Sequence, residues 1–295
     1  MSFPIEYDRG APLVFGGAVP NPRSFEDSRV VVLPVPVDRT TSYVPGTRNG
    51  PREILQASSH MELWDEELGV DVHDIGIFTL PEMELPFGEL APLMDEIQRV
   101  ASDILSHDKF LVTLGGEHSI TPPLVAASAQ RFPGLTVLQI DAHADLRDSY
   151  MGTRYNHACA IRRSLEYADV TQVGIRSMST EEAQVAGSLN TTIFYDGVMR
   201  RDPDWIDRVV NTLKDPVYIT IDVDGMDPAI MPSTGTPEPG GLSWYEMLAL
   251  LRATITRRHV VACDVVELSP IPGLLAPNFL CAKLIYKMLT YRFAK

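Results

Sequence analysis

No basic stripe, phosphate-binding glycine loop or membrane-length apolar run occurs in this 295-residue chain, and each absence removes a class of function. With 25 Lys and Arg against 39 Asp and Glu, the net charge is -14 and the pI near 4.9. Nucleic acid is therefore not an expected partner, because binding phosphate needs the positive surface that is missing. A small cation suits the sign better, although acidity also serves solubility alone. Neither GxxxxGK followed by Ser or Thr nor GxGxxG occurs; Gly115-Gly116 leads to His118 instead of a lysine and reads as backbone clearance. The three cysteines, Cys159, Cys263 and Cys281, are odd in number, far apart and set among apolar neighbours, which predicts reduced, buried thiols. No run approaches the length that spans a bilayer, and Met1–Asp8 has neither the basic start nor the apolar core of a leader, so a cytoplasmic location is expected. No repeat and no Ser/Gly/Pro-rich linker appears, and the 23 prolines are scattered, which predicts one domain over residues 1–295.

What the chain does have is a series of continuous apolar runs rich in β-branched residues, at residues 30–33, 110–114, 135–140, 170–175, 192–195, 217–221 and 260–266. Runs that do not alternate are what strands buried on both faces look like. Helical patterns lie between them. Pro51 stands early in a first turn, residues 89–105 carry apolar positions at helical spacing, and Ser243-Trp244-Tyr245-Glu246 matches a capping box. Trp64, Trp205 and Trp244 fall in helical patterns and are expected to pack. The sum is an α/β fold, a mostly parallel sheet covered by helices on both faces, with ligands expected beyond the carboxyl ends of the strands.

Two acidic clusters follow two of these runs, about eighty residues apart: Asp141-Ala142-His143-Ala144-Asp145 and Asp222-Val223-Asp224-Gly225-Met226-Asp227-Pro228. In an extended segment alternate residues share a side, at about 3.3 Å per residue, so Asp141, His143 and Asp145 can converge, as can Asp222 and Asp224. Gly115-Gly116-Glu117-His118-Ser119 would bring His118 to the same edge. Any one cluster alone is more often a helix cap, a turn or a solvated loop than a set of ligands. Together, four carboxylates and two imidazoles suit two divalent ions about 3.5–4 Å apart, and with no thiolate in either cluster manganese is favoured over zinc. His60, His73, His107 and His259 lack companions and read as surface or packing residues.

These residues resemble the ureohydrolases of the arginase and agmatinase group. Pro45-Gly46-Thr47-Arg48-Asn49-Gly50-Pro51 is similar to that family's PGxRxGP loop, and GGEHS, DAHADLR, DVDGMDP, Gly235-Thr236-Pro237-Glu238-Pro239-Gly240-Gly241 and Glu267-Leu268-Ser269-Pro270 follow in the family's order. The resemblance implies a three-layer αβα fold with a sheet of roughly eight strands, two Mn²⁺ ions, and assembly into trimers or hexamers. It implies that His118, Asp141, Asp145 and Asp222 hold one ion while His143, Asp141, Asp222 and Asp224 hold the other, with Asp141 and Asp222 bridging. Glu117 stands where aspartate is frequent and Thr220 where serine usually precedes the second cluster, and neither is a ligand.

A guanidinium is planar, delocalised and hard to attack. A water bridging two divalent cations has its pKa lowered toward neutrality, which supplies hydroxide beside the carbon. The amine released afterwards leaves only when protonated, and the resemblance points to Asp145 as the group that shuttles that proton. It likewise assigns Glu267 to a charge-assisted pair with the guanidinium and His157 to a relay of protons with solvent, the competing view of His157 being a structural role at a helix start. The stretch from Leu146 to His157 looks like agmatinase rather than arginase. Hydrolysis of agmatine to putrescine and urea, a polyamine-forming step, is thus the expected reaction. N1-aminopropylagmatine competes closely, with guanidinobutyrate, guanidine and formimidoylglutamate behind. A single-zinc amidohydrolase of the deacetylase type, or a non-catalytic binding relative, would be expected to lack ligands that this chain retains.

Overall fold

The acidic clusters end up together because they follow neighbouring strands of one sheet. The structure, a computed structural model, describes residues 13–17, 23–85 and 88–294. Its strands are β1 (Val30–Val35), β2 (Ile77–Thr79), β3 (Phe110–Gly115), β4 (Thr136–Ile140), β5 (Asp169–Ile175), β6 (Thr191–Tyr195), β7 (Val217–Asp222) and β8 (Val260–Val266). They pair in the order β2-β1-β3-β8-β7-β4-β5-β6, every pair parallel. The chain starts beside one edge, crosses to the other with β4, β5 and β6, and returns to the centre with β7 and β8, so that β3, β8, β7 and β4 form the central four.

Both faces of the sheet are covered, by α1 (Gly50–Ser58), α2 (Leu90–Ser106), α3 (Thr121–Arg131), α4 (Ala160–Ser164), α5 (Thr180–Ala186), α6 (Asp196–Met199), α7 (Trp205–Thr212), α8 (Trp244–Arg257) and α9 (Ala276–Phe293). Successive residues of β1 show the division: Val30 and Val32 join the core beneath α1, α7, α8 and α9, while Val31, Leu33 and Val35 join the core beneath α2 and α3. That alternation between two dry faces is why the strand reads as an unbroken apolar run. Helix starts follow local chemistry: Pro51 stands in the first turn of α1, and Ser243 with Glu246 closes a capping box on α8. Ser179 and Glu182 form a second such box on α5.

The differences from the expectation lie at the edges. β6 is an outer strand of half-buried and exposed residues, because it has a neighbour on one side only. β2, three residues long at the opposite edge, is too short to give a pattern. Trp64 is corrected: it lies outside any helix and is 60% exposed, whereas Trp205 is buried at the start of α7 and Trp244 half-buried at the start of α8. The three thiols are buried and unpaired. Among the described residues no helix is long and apolar enough to cross a membrane.

Candidate metal centre

The carboxyl ends of β3, β8, β7 and β4 deliver the site. His118 opens a 3-10 turn just past β3, Asp141 follows β4, Asp222 ends β7 with Asp224 in the turn after it, and Glu267 follows β8. Two glycines let these ends approach. A Cβ at Gly116 would lie 1.8 Å from the carbonyl oxygen of Val37, and one at Gly225 would lie 2.8 Å from the amide of Asp141.

Two groups of ligand-type atoms result, His118 with Asp141 and Asp145, and Asp141 with His143 and Asp224, the atoms of each within 4.8 Å of one another. Asp141 belongs to both. Its Oδ2 lies 3.2 Å from His118 Nδ1 and its Oδ1 lies 3.7 Å from His143 Nδ1. Asp145 Oδ2 is 3.1 Å from His118 Nδ1, and Asp224 Oδ2 is 2.9 Å from His143 Nδ1. Asp222 stands beside the first group, its Oδ2 3.5 Å from His118 Nδ1, while its Oδ1 accepts from the Asp224 amide at 2.9 Å. The picture of one extended segment needs amending, because Asp145 has a left-handed backbone, with φ 52°, and its carboxylate meets His118 while His143 meets Asp224. The conformation is held by its carbonyl, which accepts from the amides of Ile161 and Arg162. Glu267 is also left-handed, with φ 64°, fixed by its amide donating to the Gly116 carbonyl and by its Oε1 accepting from the His118 amide at 2.7 Å. Such strain costs about 1–3 kcal/mol each and persists only where surrounding bonds over-determine it.

Protein groups alone satisfy this set poorly, which is where the fit to metal shows. Burial raises the carboxyls of Asp222, Asp224 and Glu267 and, with Asp141, pushes Asp145 up to about 7. Burial would lower both imidazoles, but the acids overcome it: Asp141, Asp145 and Asp222 hold His118 well above its usual value, and Asp224 and Asp141 push His143 up to about 12. Asp141 is lowered despite burial because both histidines face it. Buried His118 Nδ1 nevertheless has no hydrogen-bond partner, although three carboxylates stand within 3.5 Å. Its other nitrogen explains the orientation. Thr220 gives its hydroxyl proton to Asp264 at 2.6 Å, so its oxygen can only accept from His118 Nε2 at 2.9 Å, which turns Nδ1 toward the acids and leaves it as the nitrogen that can bind a metal once its proton is displaced. Oxygen-rich, thiolate-free and partly neutralised by imidazole, the donor set fits a pair of divalent cations.

Several supporting residues were not anticipated. Asp264 also accepts from Tyr218 and Thr121, and Asp141 Oδ2 accepts from Gln139 Nε2 at 2.6 Å, whose own oxygen accepts from Gln172. A polar residue inside an apolar run was the available signal, since a buried polar group needs a partner. Arg176 donates to the carbonyls of Gly174, Asp224, Glu238 and Pro239 and so ties the 223–241 segment to β5. Above the acids opens a cavity of about 250 Å³ lined by Ser42, His143, Asp145, Tyr150, His157 and Glu267, among others. His157 is half-buried, and burial lowers its pKa although Glu117 pulls the other way.

A doubly covered parallel sheet with a shared His/Asp cluster at the carboxyl ends of its central strands defines the class, an α/β protein built around a candidate two-metal centre. The chain belongs to the arginase family, whose model matches residues 28–290. Its members are hydrolases that act on guanidino C–N bonds, and the family depends on a binuclear metal centre. N(1)-aminopropylagmatine ureohydrolase of Synechocystis is 40% identical over 276 residues, covering 91% of this chain and 90% of that protein. Agmatinase of Bacillus cereus is 35% identical, covering 84% and 86%. The crystal structure of agmatine ureohydrolase of Thermoplasma volcanium superposes with a TM-score of 0.84 at 33% identity, covering 92% of each chain. The protein is thus a ureohydrolase of this family.

Proposed function

We propose that the protein hydrolyses the guanidinium group of an aminoalkyl guanidine to urea and an amine, with N1-aminopropylagmatine as the first candidate substrate and agmatine as the second. The observation that carries the reaction type is the pair of His/Asp groups sharing Asp141 at the base of a cavity that Glu267 also lines. The motifs alone put agmatine first. The order changes because the relatives at 38–40% identity, from Synechocystis and Thermus thermophilus, carry the name of the longer substrate, whereas the agmatinases stand at 32–36%.

Two Mn²⁺ ions held by His118, Asp141, His143, Asp145, Asp222 and Asp224 would supply a water acidified toward neutrality. The chain's own groups do the rest. Glu267, with one oxygen tied to the His118 amide, offers Oε2 to the planar guanidinium and orients the carbon toward the acids. Asp145, whose carboxylate would stand beside that water, takes a proton as water adds and returns it to the departing nitrogen. His157 exchanges the surplus proton with solvent at the cavity rim. We assign the whole of residues 1–295 to one ureohydrolase domain acting in the cytoplasm as a homo-oligomer, a trimer or hexamer.

The test is urea release by chelator-stripped, Mn²⁺-reloaded protein offered N1-aminopropylagmatine, agmatine, arginine, guanidinobutyrate and guanidine side by side. Metal-dependent urea, fastest from N1-aminopropylagmatine, is expected. Faster release from agmatine would reverse the order of substrates, and no urea from any of the five would sink the reading.

A further inference from the structure

The protons around His157 can be counted, and the count is informative. Buried Glu117 accepts four hydrogen bonds: from the amides of Arg39 and Thr40 at Oε2, 2.6 Å each, and from the hydroxyls of Thr40 and Ser119 at Oε1, 2.8 and 2.6 Å. About four lone-pair sites are all a carboxylate has, and it has nothing to donate. The one hydroxyl proton of Thr40 is thereby committed to Glu117. Only lone pairs remain on the Thr40 oxygen, and two atoms of His157 face it: the backbone amide, which donates at 3.0 Å, and ring Nδ1 at 3.3 Å. Nδ1 bonds there only when it carries hydrogen. The other ring nitrogen, Nε2, lies 3.3 Å from the exposed hydroxyl of Ser42, on the lining of the same cavity.

We propose that Glu117 and Thr40 fix neutral His157 as its Nδ1–H tautomer, so that Nε2 is the atom that takes up and releases protons and Ser42 is its outlet to solvent. Glu117 and Thr40 are positioning residues here; they act through His157. A proton taken up at Nε2 gives the imidazolium while Nδ1–H stays on Thr40, and its release past Ser42 restores the starting state. The effect on rate rests on the ureohydrolase reading, but the tautomer does not.

The test is the side-chain ¹⁵N spectrum of histidine-labelled, full-length protein loaded with Zn²⁺, a diamagnetic ion, at about pH 8, where an unperturbed imidazole is neutral. The His157 signals are identified by their loss in H157Q. A protonated-type Nδ1 and an unprotonated-type Nε2 are expected. T40V, which keeps the shape and removes the hydroxyl, is expected to shift His157 toward the other tautomer and to lower kcat roughly tenfold at unchanged KM, with T40S restoring both. An unprotonated Nδ1 in the unmodified protein would overturn the proposal, and that spectrum decides even where T40V fails to fold. So would a T40V protein with both signature and kcat intact. Absence of urea alongside an Nδ1–H spectrum would remove the activity reading and leave the tautomer standing.

Discussion

At the scale of single residues, the candidate ligands that the fold brings together were legible and their supports were not. His118, Asp141 and Asp222 sit where apolar runs stop, so the break in pattern exposes them. Asp264 and Gln139 lie inside such runs, where one polar letter among valines shows neither which face it occupies nor what it meets. The structure gives Asp264 three hydroxyl donors, Thr220, Tyr218 and Thr121, and through Thr220 it fixes the ring of His118. D264N keeps the volume but removes the charge that draws the Thr220 proton. Outer partners of this kind contribute about 10- to 100-fold to metal affinity, so D264N is expected to weaken Mn²⁺ binding by that order in a competition titration against a chromogenic chelator. Unchanged affinity would show that His118 needs no such brace.

At the scale of elements, strand positions followed from composition because a sheet dry on both faces admits little but β-branched and aliphatic residues. Where that condition lapses the pattern lapses too, as β2 and β6 at the two edges show. The loops were readable as motifs but not as shapes. Asp145 adopts a left-handed backbone that aspartate tolerates but does not require, Glu267 one that its residue type disfavours, and Glu117, read only as a non-ligand, anchors the segment at Arg39 and Thr40. Gly116 reads in the sequence as backbone clearance; what it clears is Val37, whose amide and carbonyl join β1 to the turn after β3. G116A must push those two segments apart. A loss of several kcal/mol is expected, as for overpacking against backbone that cannot yield. The measurement is the urea midpoint against that of G197A, whose Cβ would meet nothing within 4 Å. Equal midpoints would mean the loop adjusts without cost.

At the scale of the whole molecule, the long closing helix is pinned by charge as well as by packing. Lys287 of α9 is 1% exposed, and its Nζ lies 3.0 Å from the buried carboxylate of Asp65, 3.1 Å from Glu66 and 3.3 Å from Glu67. Two tyrosines of the same helix join in, Tyr286 donating to Asp71 and Tyr291 to Glu67. A lysine in the middle of a helix reads as solvated, so nothing in the sequence marked this contact. Burial would lower the Lys287 pKa, but Asp65 and Glu66 raise it, and burial together with the neighbouring acids raises both phenols. The unfolded chain gives up these three protons near pH 10, whereas the folded chain keeps them to higher pH. Their stabilisation is therefore complete below about pH 10 and is lost as the pH climbs through the folded values. With a chelator present so that metal exchange plays no part, the raised imidazoles of the empty centre and the three buried thiols already lower Tm as the pH rises from neutrality, and the fall is expected to steepen above about pH 10 as Lys287, Tyr286 and Tyr291 join it. K287M leaves Asp65 buried without its cation, a loss of about 3–5 kcal/mol. It should depress Tm at neutral pH and flatten the alkaline fall, since one of the three titrating groups is gone. A K287M protein that melts like the parent at neutral pH would show that α9 is held by its apolar face alone.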